Sequence, residues 1–292
     1  MNVAVIGTGR MGAAIVRRLR AAGVPVVAYN RSGDKAKAVA ERHGANVAAT
    51  ARDAVAEADV VIVSLADDAA VRSAYSGDDG LLAGVRWGLV VCDTSTVAPT
   101  TVRELAPLVA ARGGRLLDSP ASGSVPLVER GELTVMVGGD AAALDIARPV
   151  LDELAKAVFH LGDVGAGATI KLVVNSVIFA LNAAVSETLV LAERAGLDRT
   201  ATYDVLAASA VGAPFVHYKR DAFLRPDDTP VAFSLDLVAK DQGLITALAE
   251  SVSASMPQAD STRGLVAAAV AAGLGDHDMS AVAEHLRGKS GG

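Results

Sequence analysis

Cysteine occurs once in the 292 residues, as Cys92, so the chain forms no intrachain disulfide and holds no Cys-rich zinc or iron–sulfur site. So sparing a use of cysteine fits a reducing compartment. Cys92 closes the apolar run Leu89-Val90-Val91-Cys92, which predicts a buried small hydrophobe. Histidines 43, 160, 217, 277 and 285 show no HExxH or other metal-ligand spacing, and no metal is expected. No large charge excess is present either. Lys plus Arg is 27 against 33 for Asp plus Glu, a formal charge of −6 that disfavours a broad nucleic-acid or anionic-membrane footprint while leaving local basic pockets open. The N-terminus, MNVAVIGTGRMG, lacks a basic region followed by a long apolar stretch, so no secretory signal is expected. The most apolar long segment, 170–192, is interrupted by Lys171, Asn175, Asn182 and Glu187, whereas a lipid-facing helix needs about 20 predominantly apolar residues. These absences together predict a cytoplasmic protein with neither a membrane nor a nucleic-acid partner.

What is present is a core-forming composition. Hydrophobic residues are 51% and charged residues 21%, which excludes a disordered chain. At roughly 100–200 residues per domain, the length predicts one large domain or two. Short runs rich in Val, Ile and Leu stand at 2–6, 25–29, 59–65, 88–93, 115–118 and 133–137. Between them lie stretches of helical length and composition at 11–22, 34–43, 67–75, 99–111 and 141–154. Near-continuous apolar strands alternating with helices predict a doubly wound α/β domain whose parallel sheet is covered on both faces. After Gly162-Asp163-Val164-Gly165-Ala166-Gly167 no convincing strand follows. A long helix is predicted over 168–195, ended by Gly196, then helices at 200–209, 235–253, 261–272 and 280–286. The expected division is therefore an α/β domain over 1–163 and an all-α domain over 164–292. The second has little chain with which to bury so apolar a helix, which predicts an oligomer, a homodimer or homotetramer formed through the helical domain.

Gly7-Thr8-Gly9-Arg10-Met11-Gly12 is a G-x-G-x-x-G directly after the first strand and opening a helix. The first glycine permits the tight turn, the second lets backbone approach a pyrophosphate, and the third lets helix and strand pack closely. The helix N-terminus then offers unpaired N–H groups to the phosphates. With strand, turn, helix and second strand in the required order, the segment predicts a Rossmann-type dinucleotide site. The second strand ends Tyr29-Asn30-Arg31-Ser32, with Lys35 beyond, where an NAD site usually presents an acid for the ribose 2′-hydroxyl. An arginine there suits a 2′-phosphate, with the Ser32 hydroxyl and the Lys35 charge alongside, so NADP (NADPH) is expected rather than NAD.

On the long helix, Lys171, Asn175, Asn182, Ser186 and Glu193 fall within about 60° at 100° per residue, a single polar stripe. For Ser186 and Glu193 the expectation is a thin solvent-facing edge. Lys171 and Asn175 start the helix after a Gly-rich hinge at the domain junction, where ligand clefts are common. An ammonium there can protonate a developing alkoxide, with Asn175 one turn on to orient the lysine or the reacting oxygen. The pattern leaves a purely structural role for the pair equally open. Asp118-Ser119-Pro120-Ala121-Ser122-Gly123-Ser124-Val125 follows a strand at the carboxyl edge of the sheet. Backbone N–H groups around its glycine can form a nest for a carboxylate, although an ordinary Ser/Gly loop reads the same way.

These pieces, taken in order, resemble the β-hydroxyacid dehydrogenase family over nearly the whole chain. The matching motifs are residues 7–12, Asp93-Thr94-Ser95-Thr96 with Pro99, the run DSPASGSVPLVERGELTVMVGG from Asp118, Gly165-Ala166-Gly167 with Lys171 and Asn175, and Lys240-Asp241 within VAKDQGL. The resemblance implies hydride transfer between a nicotinamide and a small carboxylate-bearing hydroxy acid, aldehyde acid or keto acid. In it Lys171 is the proton donor or acceptor and Asn175 its companion. Ser122, Gly123 and Ser124 hold the substrate carboxylate, and Leu65, Thr96 and Lys240 touch the cofactor. The chain departs from the family at Ala66, where many members have proline, and at Ala70, where some have a cofactor-contacting asparagine. The cradle reads Ser-Gly-Ser-Val where 3-hydroxyisobutyrate enzymes usually show Ser-Gly-Gly, which is closer to the glyoxylate/succinic semialdehyde reductase branch. Imine reductases share the architecture but usually replace the lysine with Asp or Tyr. A non-catalytic NADP-binding interaction protein would tend to lose it.

Overall fold

The computed structural model describes residues 1–289. Two compact units divide it, Met1–Lys171 and a second from Leu172 onward. The division falls inside the long helix, a few residues past the Gly-rich segment where the sequence pattern changes. The first turns of that helix pack with the α/β unit, so the change in periodicity precedes the change in packing.

In the first unit, β1 (Val3–Ile6), α1 (Arg10–Ala21), β2 (Val26–Tyr29), α2 (Gly33–His43), β3 (Asn46–Val47), α3 (Ala51–Val55), β4 (Val60–Val63), α4 (Asp68–Tyr75), α5 (Leu81–Gly84), β5 (Val90–Asp93), α6 (Pro99–Ala110) and β6 (Arg115–Asp118) follow one another. Their strands form a parallel sheet ordered β3-β2-β1-β4-β5-β6. The order reverses between β1 and β4, and open α/β sheets bind ligands at the carboxyl ends of the strands beside such a reversal. Period-2 alternation explains why the strands are apolar throughout. Val3 and Val5 point into one core with Val60, Ile62, Val90 and Cys92, while Ala4 and Ile6 point into the other with Val61, Val63 and Val91. Each such fully buried Val or Ile contributes about 1.5–3 kcal/mol. Cys92 is one of these buried residues, and burial pushes its thiol up to about 12.

The run at 133–137 is a strand, but the main sheet does not contain it. β7 (Ala121–Ser122), α7 (Val125–Arg130), β8 (Leu133–Val137), α8 (Ala141–Leu154) and β9 (Ala155–His160) build a second sheet ordered β7-β8-β9, with β7 antiparallel and β9 parallel to β8. Apolar content predicts a strand and leaves its neighbour open. Here the turn through α7 brings the chain straight back along β7. The short elements β3, β7, α3, α5 and α7 are too brief to show a period, and β9 mixes Lys156 and His160 into its run.

The second unit is helical. It comprises most of α9 (Ala166–Arg194), then α10 (Arg199–Ala208), α11 (Pro214–Leu224), α12 (Leu235–Ser251), α13 (Pro257–Ala269) and α14 (Val282–Lys289), around a core that includes Leu172, Phe179, Leu189, Tyr203, Phe223 and Val238. Helix α11 escapes periodicity because a buried lysine, Lys219, occupies its inner face. The polar stripe of α9 corrects the expectation of a solvent edge. Ser186 is buried and donates to the Asn182 carbonyl, and Asn182 Nδ2 donates to the Met279 carbonyl at 2.9 Å. Glu193 is half-buried and receives Arg287 at 2.8 Å and Arg199 at 2.7 Å. Apolar residues face outward instead, Val173 at 48%, Val177 at 64% and Leu191 at 69% exposure. By length and composition α9 is long and apolar enough to cross a membrane. Exposed Glu187 nonetheless puts a charge on its outward face, an expensive residue in lipid.

Candidate functional site

The glycine turn at the end of β1 is shaped by close approach. Gly7 has φ +98°, and a Cβ on it would strike the Ser64 carbonyl, while a Cβ on Gly12 would strike the Gly7 carbonyl. Gly9, at the N-terminus of α1, has open space where its Cβ would lie and supplies no side-chain cap. Thr8 is buried. Its N–H donates to Asn30 Oδ1 at 3.2 Å, yet its hydroxyl has no partner. An orphaned hydroxyl beside the open N-terminus of a twelve-residue helix fits the pyrophosphate of a dinucleotide. Arg10 is exposed and Met11 packs against the core. Asn30 turns inward as a brace, since its Nδ2 also donates to the Ser32 carbonyl at 3.1 Å. Arg31, Ser32 and Lys35 are exposed at the start of α2, which has no side-chain cap, and neither Arg31 nor Lys35 is in an ion pair among the described residues.

At the ends of β4 and β5 a buried chain of hydrogen bonds holds the loops. The Leu65 N–H donates to Ser95 Oγ at 3.0 Å, the Ser95 N–H to Asp93 Oδ1 at 3.0 Å, and the Tyr75 hydroxyl to Asp93 Oδ2 at 3.1 Å. Burial pushes the Asp93 carboxyl up to about 6, against the opposing pull of the bonds from Ser95 and Tyr75. Thr96, half-buried, follows directly.

Beyond β6 the carbonyl of Ala121 accepts from Lys171 Nζ at 2.7 Å. Ser122 lies in β7, paired with Thr134, and Gly123 takes φ +144°, where a Cβ would lie 2.6 Å from the Leu133 side chain. Ser122, Gly123 and Ser124 are all half-buried. The lysine ammonium is thus held, within one unit, at the carbonyl that directly precedes the serine-glycine segment. The Asp118 carboxylate, which ends β6, binds the Gly165 and Ala168 amides at the head of α9.

In the second unit Asn175 is buried and donates through Nδ2 to Asp241 Oδ2 at 2.8 Å. Lys240 Nζ lies 2.7 Å from Asp241 Oδ1, so one fully buried carboxylate holds both expected site residues. Lys171 and Asn175 stand one turn apart on α9. Sequence reasoning met Asp93, Asp118 and Asp241 only as members of motifs and gave none of them a role. The available signal for the first two was an acid ending an otherwise apolar strand, and for the third an acid beside Lys240 in an apolar helical stretch. A cavity of about 300 Å³ lined by Tyr29, Ala51, Ser73, Ala74 and the 76–80 turn contains none of the expected site residues. Among the described residues no His/Cys/Asp/Glu group could hold a metal.

Residues 2–162 match the NAD binding domain of 6-phosphogluconate dehydrogenase, and residues 165–286 match the family described as NAD-binding of NADP-dependent 3-hydroxyisobutyrate dehydrogenase. Glyoxylate/succinic semialdehyde reductase 1 of Arabidopsis thaliana is 33% identical over 287 residues, covering 98% of this chain and 99% of the relative. Among solved structures, Mycobacterium tuberculosis 3-hydroxyisobutyrate dehydrogenase with L-serine is 34% identical with a TM-score of 0.84, covering 98% of this chain and 99% of that one. Psf3 in complex with NADP+ and 2-OPP is 28% identical with a TM-score of 0.89, covering 97% and 99%.

Proposed function

This chain belongs to the β-hydroxyacid dehydrogenase family, and from that premise we propose that it is an NADPH-dependent reductase of small aldehyde or keto acids in which Lys171 handles the proton. That it is an NAD(P)-dependent oxidoreductase working between hydroxyl and carbonyl groups follows from the family itself. The observation that supports the finer reading is the bond from Lys171 Nζ to the carbonyl of Ala121, the residue just before the Ser122-Gly123-Ser124 segment, at 2.7 Å.

The residues divide the work. A bound nicotinamide supplies the hydride, and the protein supplies orientation and charge. The backbone of residues 7–12 and the Thr8 hydroxyl hold the pyrophosphate, and Leu65, Thr96 and Lys240 line the rest of the cofactor. Ser122 and Ser124, with the amides around Gly123, take the substrate carboxylate. Lys171 holds the proton destined for the substrate's carbonyl oxygen, and takes it back when the alcohol is oxidised. Asn175, locked through Asp241, orients the reacting oxygen. Arg31, where an NAD site presents an acid, supports NADP, as does the NADP+ in the structure of Psf3. The outward apolar face of α9 supports a second copy of the chain as partner, making a homodimer or homotetramer. The lone buried cysteine supports a reducing, cytoplasmic location.

The test measures consumption of NADPH and NADH with glyoxylate, succinic semialdehyde, methylmalonate semialdehyde and tartronate semialdehyde. Lys171→Ala and Arg31→Asp are run in parallel. One aldehyde acid should turn over, Lys171→Ala should reduce kcat by about 10²–10⁴-fold with NADPH binding kept, and Arg31→Asp should weaken NADPH far more than NADH. Turnover that survives in Lys171→Ala rejects the lysine as proton donor, and equal loss of both cofactors rejects the 2′-phosphate contact.

A further inference from the structure

Helix α9 receives its N-terminal cap from far away in the chain. The Gly165 N–H donates to Asp118 Oδ1 at 2.8 Å and the Ala168 N–H to Asp118 Oδ2 at 2.7 Å, across 47 and 50 residues of sequence. Other helices here are capped locally, α4 by Asp67 and α8 by Asp140, each through the amide three residues on. A local cap would satisfy the same orphan amides at the head of α9 without burying a carboxylate. Asp118 is 1% exposed, and burial holds its carboxyl above the usual range. The costlier arrangement ties the head of α9 to the end of β6.

Because both carboxylate oxygens are engaged, one by the Gly165 amide just before the helix and one by the Ala168 amide in its first turn, α9 cannot slide or rotate without losing a bond. Asp118 is itself clamped. Its N–H donates to the Gly138 carbonyl at 3.1 Å and its carbonyl accepts from Gly138 N–H at 2.8 Å. A Cβ on Gly138 would lie 2.6 Å from Asp118 Oδ1, so only a glycine at that position leaves space for the carboxylate. One turn along the helix from Ala168 stands Lys171, and three residues along the chain from Asp118 stands Ala121, its acceptor. A lysine stem has four rotatable carbons and much rotamer freedom, so the placement of its ammonium depends on the placement of its helix.

We propose that Asp118 is a positioning residue that caps α9 from β6 and thereby sets the Lys171 ammonium against the segment formed by Ser122, Gly123 and Ser124. This rests on the reading of Lys171 as proton donor.

The full chain is compared with Asp118→Asn and Lys171→Ala for kcat, KM, NADPH Kd, melting temperature and the solvent deuterium isotope effect. The asparagine fills the same space, but its NH2 faces one of two amide donors, so one bond is lost. Asp118→Asn should lower kcat about 100-fold, the scale of an ångström's misplacement. Its NADPH Kd should stay within about twofold of the parent, since the pyrophosphate turn is untouched. The solvent isotope effect should rise as proton transfer becomes limiting. If Asp118→Asn does not fold, Asp118→Ser, smaller and with one acceptor oxygen, carries the same expectation. An unchanged kcat beside an inactive Lys171→Ala overturns the Asp118 proposal alone, as does a parallel fall of kcat, NADPH affinity and melting temperature. Turnover surviving in Lys171→Ala overturns the lysine reading and, with it, the proposal.

Discussion

Asp93 keeps a carboxyl where water does not reach, satisfied by one amide and one phenol, and its burial raises it from 3.8 to about 6. The native state therefore holds this proton more firmly than the unfolded chain does. Its contribution to stability is complete below about pH 4 and is lost as pH rises through about 6, a change of about 3 kcal/mol. Asp93→Asn removes the charge and keeps both partners, because Nδ2 can donate to the Tyr75 oxygen while Oδ1 accepts the Ser95 amide. The variant should be the more stable protein near neutral pH, with urea unfolding showing the gap closing as the buffer is acidified towards pH 4. The same pH slope in both proteins would refute it. At this scale the glycine turn was legible, because a glycine with no room for Cβ leaves a trace in the sequence. The buried acids were not, because Asp93, Asp118 and Asp241 are identified by the groups that meet them, and apart from the Ser95 amide two residues on from Asp93 the phenol, amides and amide side chain named above lie 18 to 66 residues away.

At the scale of elements, α9 and α11 both carry polar residues on the face that is buried. Lys219 on α11 donates to both oxygens of Asp278 at 2.7 Å, and Asp278 also accepts from the Ala232, Phe233 and Ser280 amides. Burial lowers the lysine below its usual range. The carboxyl is lowered as well, because Lys219 and the amides outweigh the burial that would raise it. Lys219→Met should leave that carboxylate buried and unpaired, at a loss of about 3–5 kcal/mol. Arg220→Met, which breaks an exposed pair with Asp204, should cost less than about 1 kcal/mol. Urea denaturation of both variants compares them directly, and equal losses would show that the Lys219 pair is no more than a surface bridge. Amphipathic periodicity found α9 and placed its polar stripe on one face. It assigned Ser186 and Glu193 to the wrong side, because hydropathy assumes that polar residues face water, and here carbonyls and two arginines satisfy them inside.

At the scale of the molecule, the outward stripe of α9 is the feature one chain leaves unsatisfied. Val173, Val177, Ala184 and Leu191 recur on one side of the helix, all exposed. In the assembly proposed above, a second copy of the chain buries this stripe. Val177→Glu, at an exposed position of the stripe, should shift the protein from oligomer to monomer in sedimentation velocity while the circular dichroism stays that of the folded chain. A parent chain that already sediments as a monomer, or a variant that stays assembled, would remove the stripe from the interface.

The residue order by itself determined the doubly wound α/β unit, the helical unit after it and the glycine turn, while it left the roles of the lysine and of the serine-glycine segment open. Each feature so determined depends on local spacing, a period of 2 or 3.6 or a fixed motif, which a linear pattern preserves. Only the tertiary structure decided that β8 belongs to a second sheet, that the polar face of α9 is its inner face, and that Asp118 caps a helix some fifty residues further on. These are choices of partner. Strand pairing, burial of a polar stripe and long-range capping are settled by which groups fold into reach of one another, and adjacency in sequence carries no record of that.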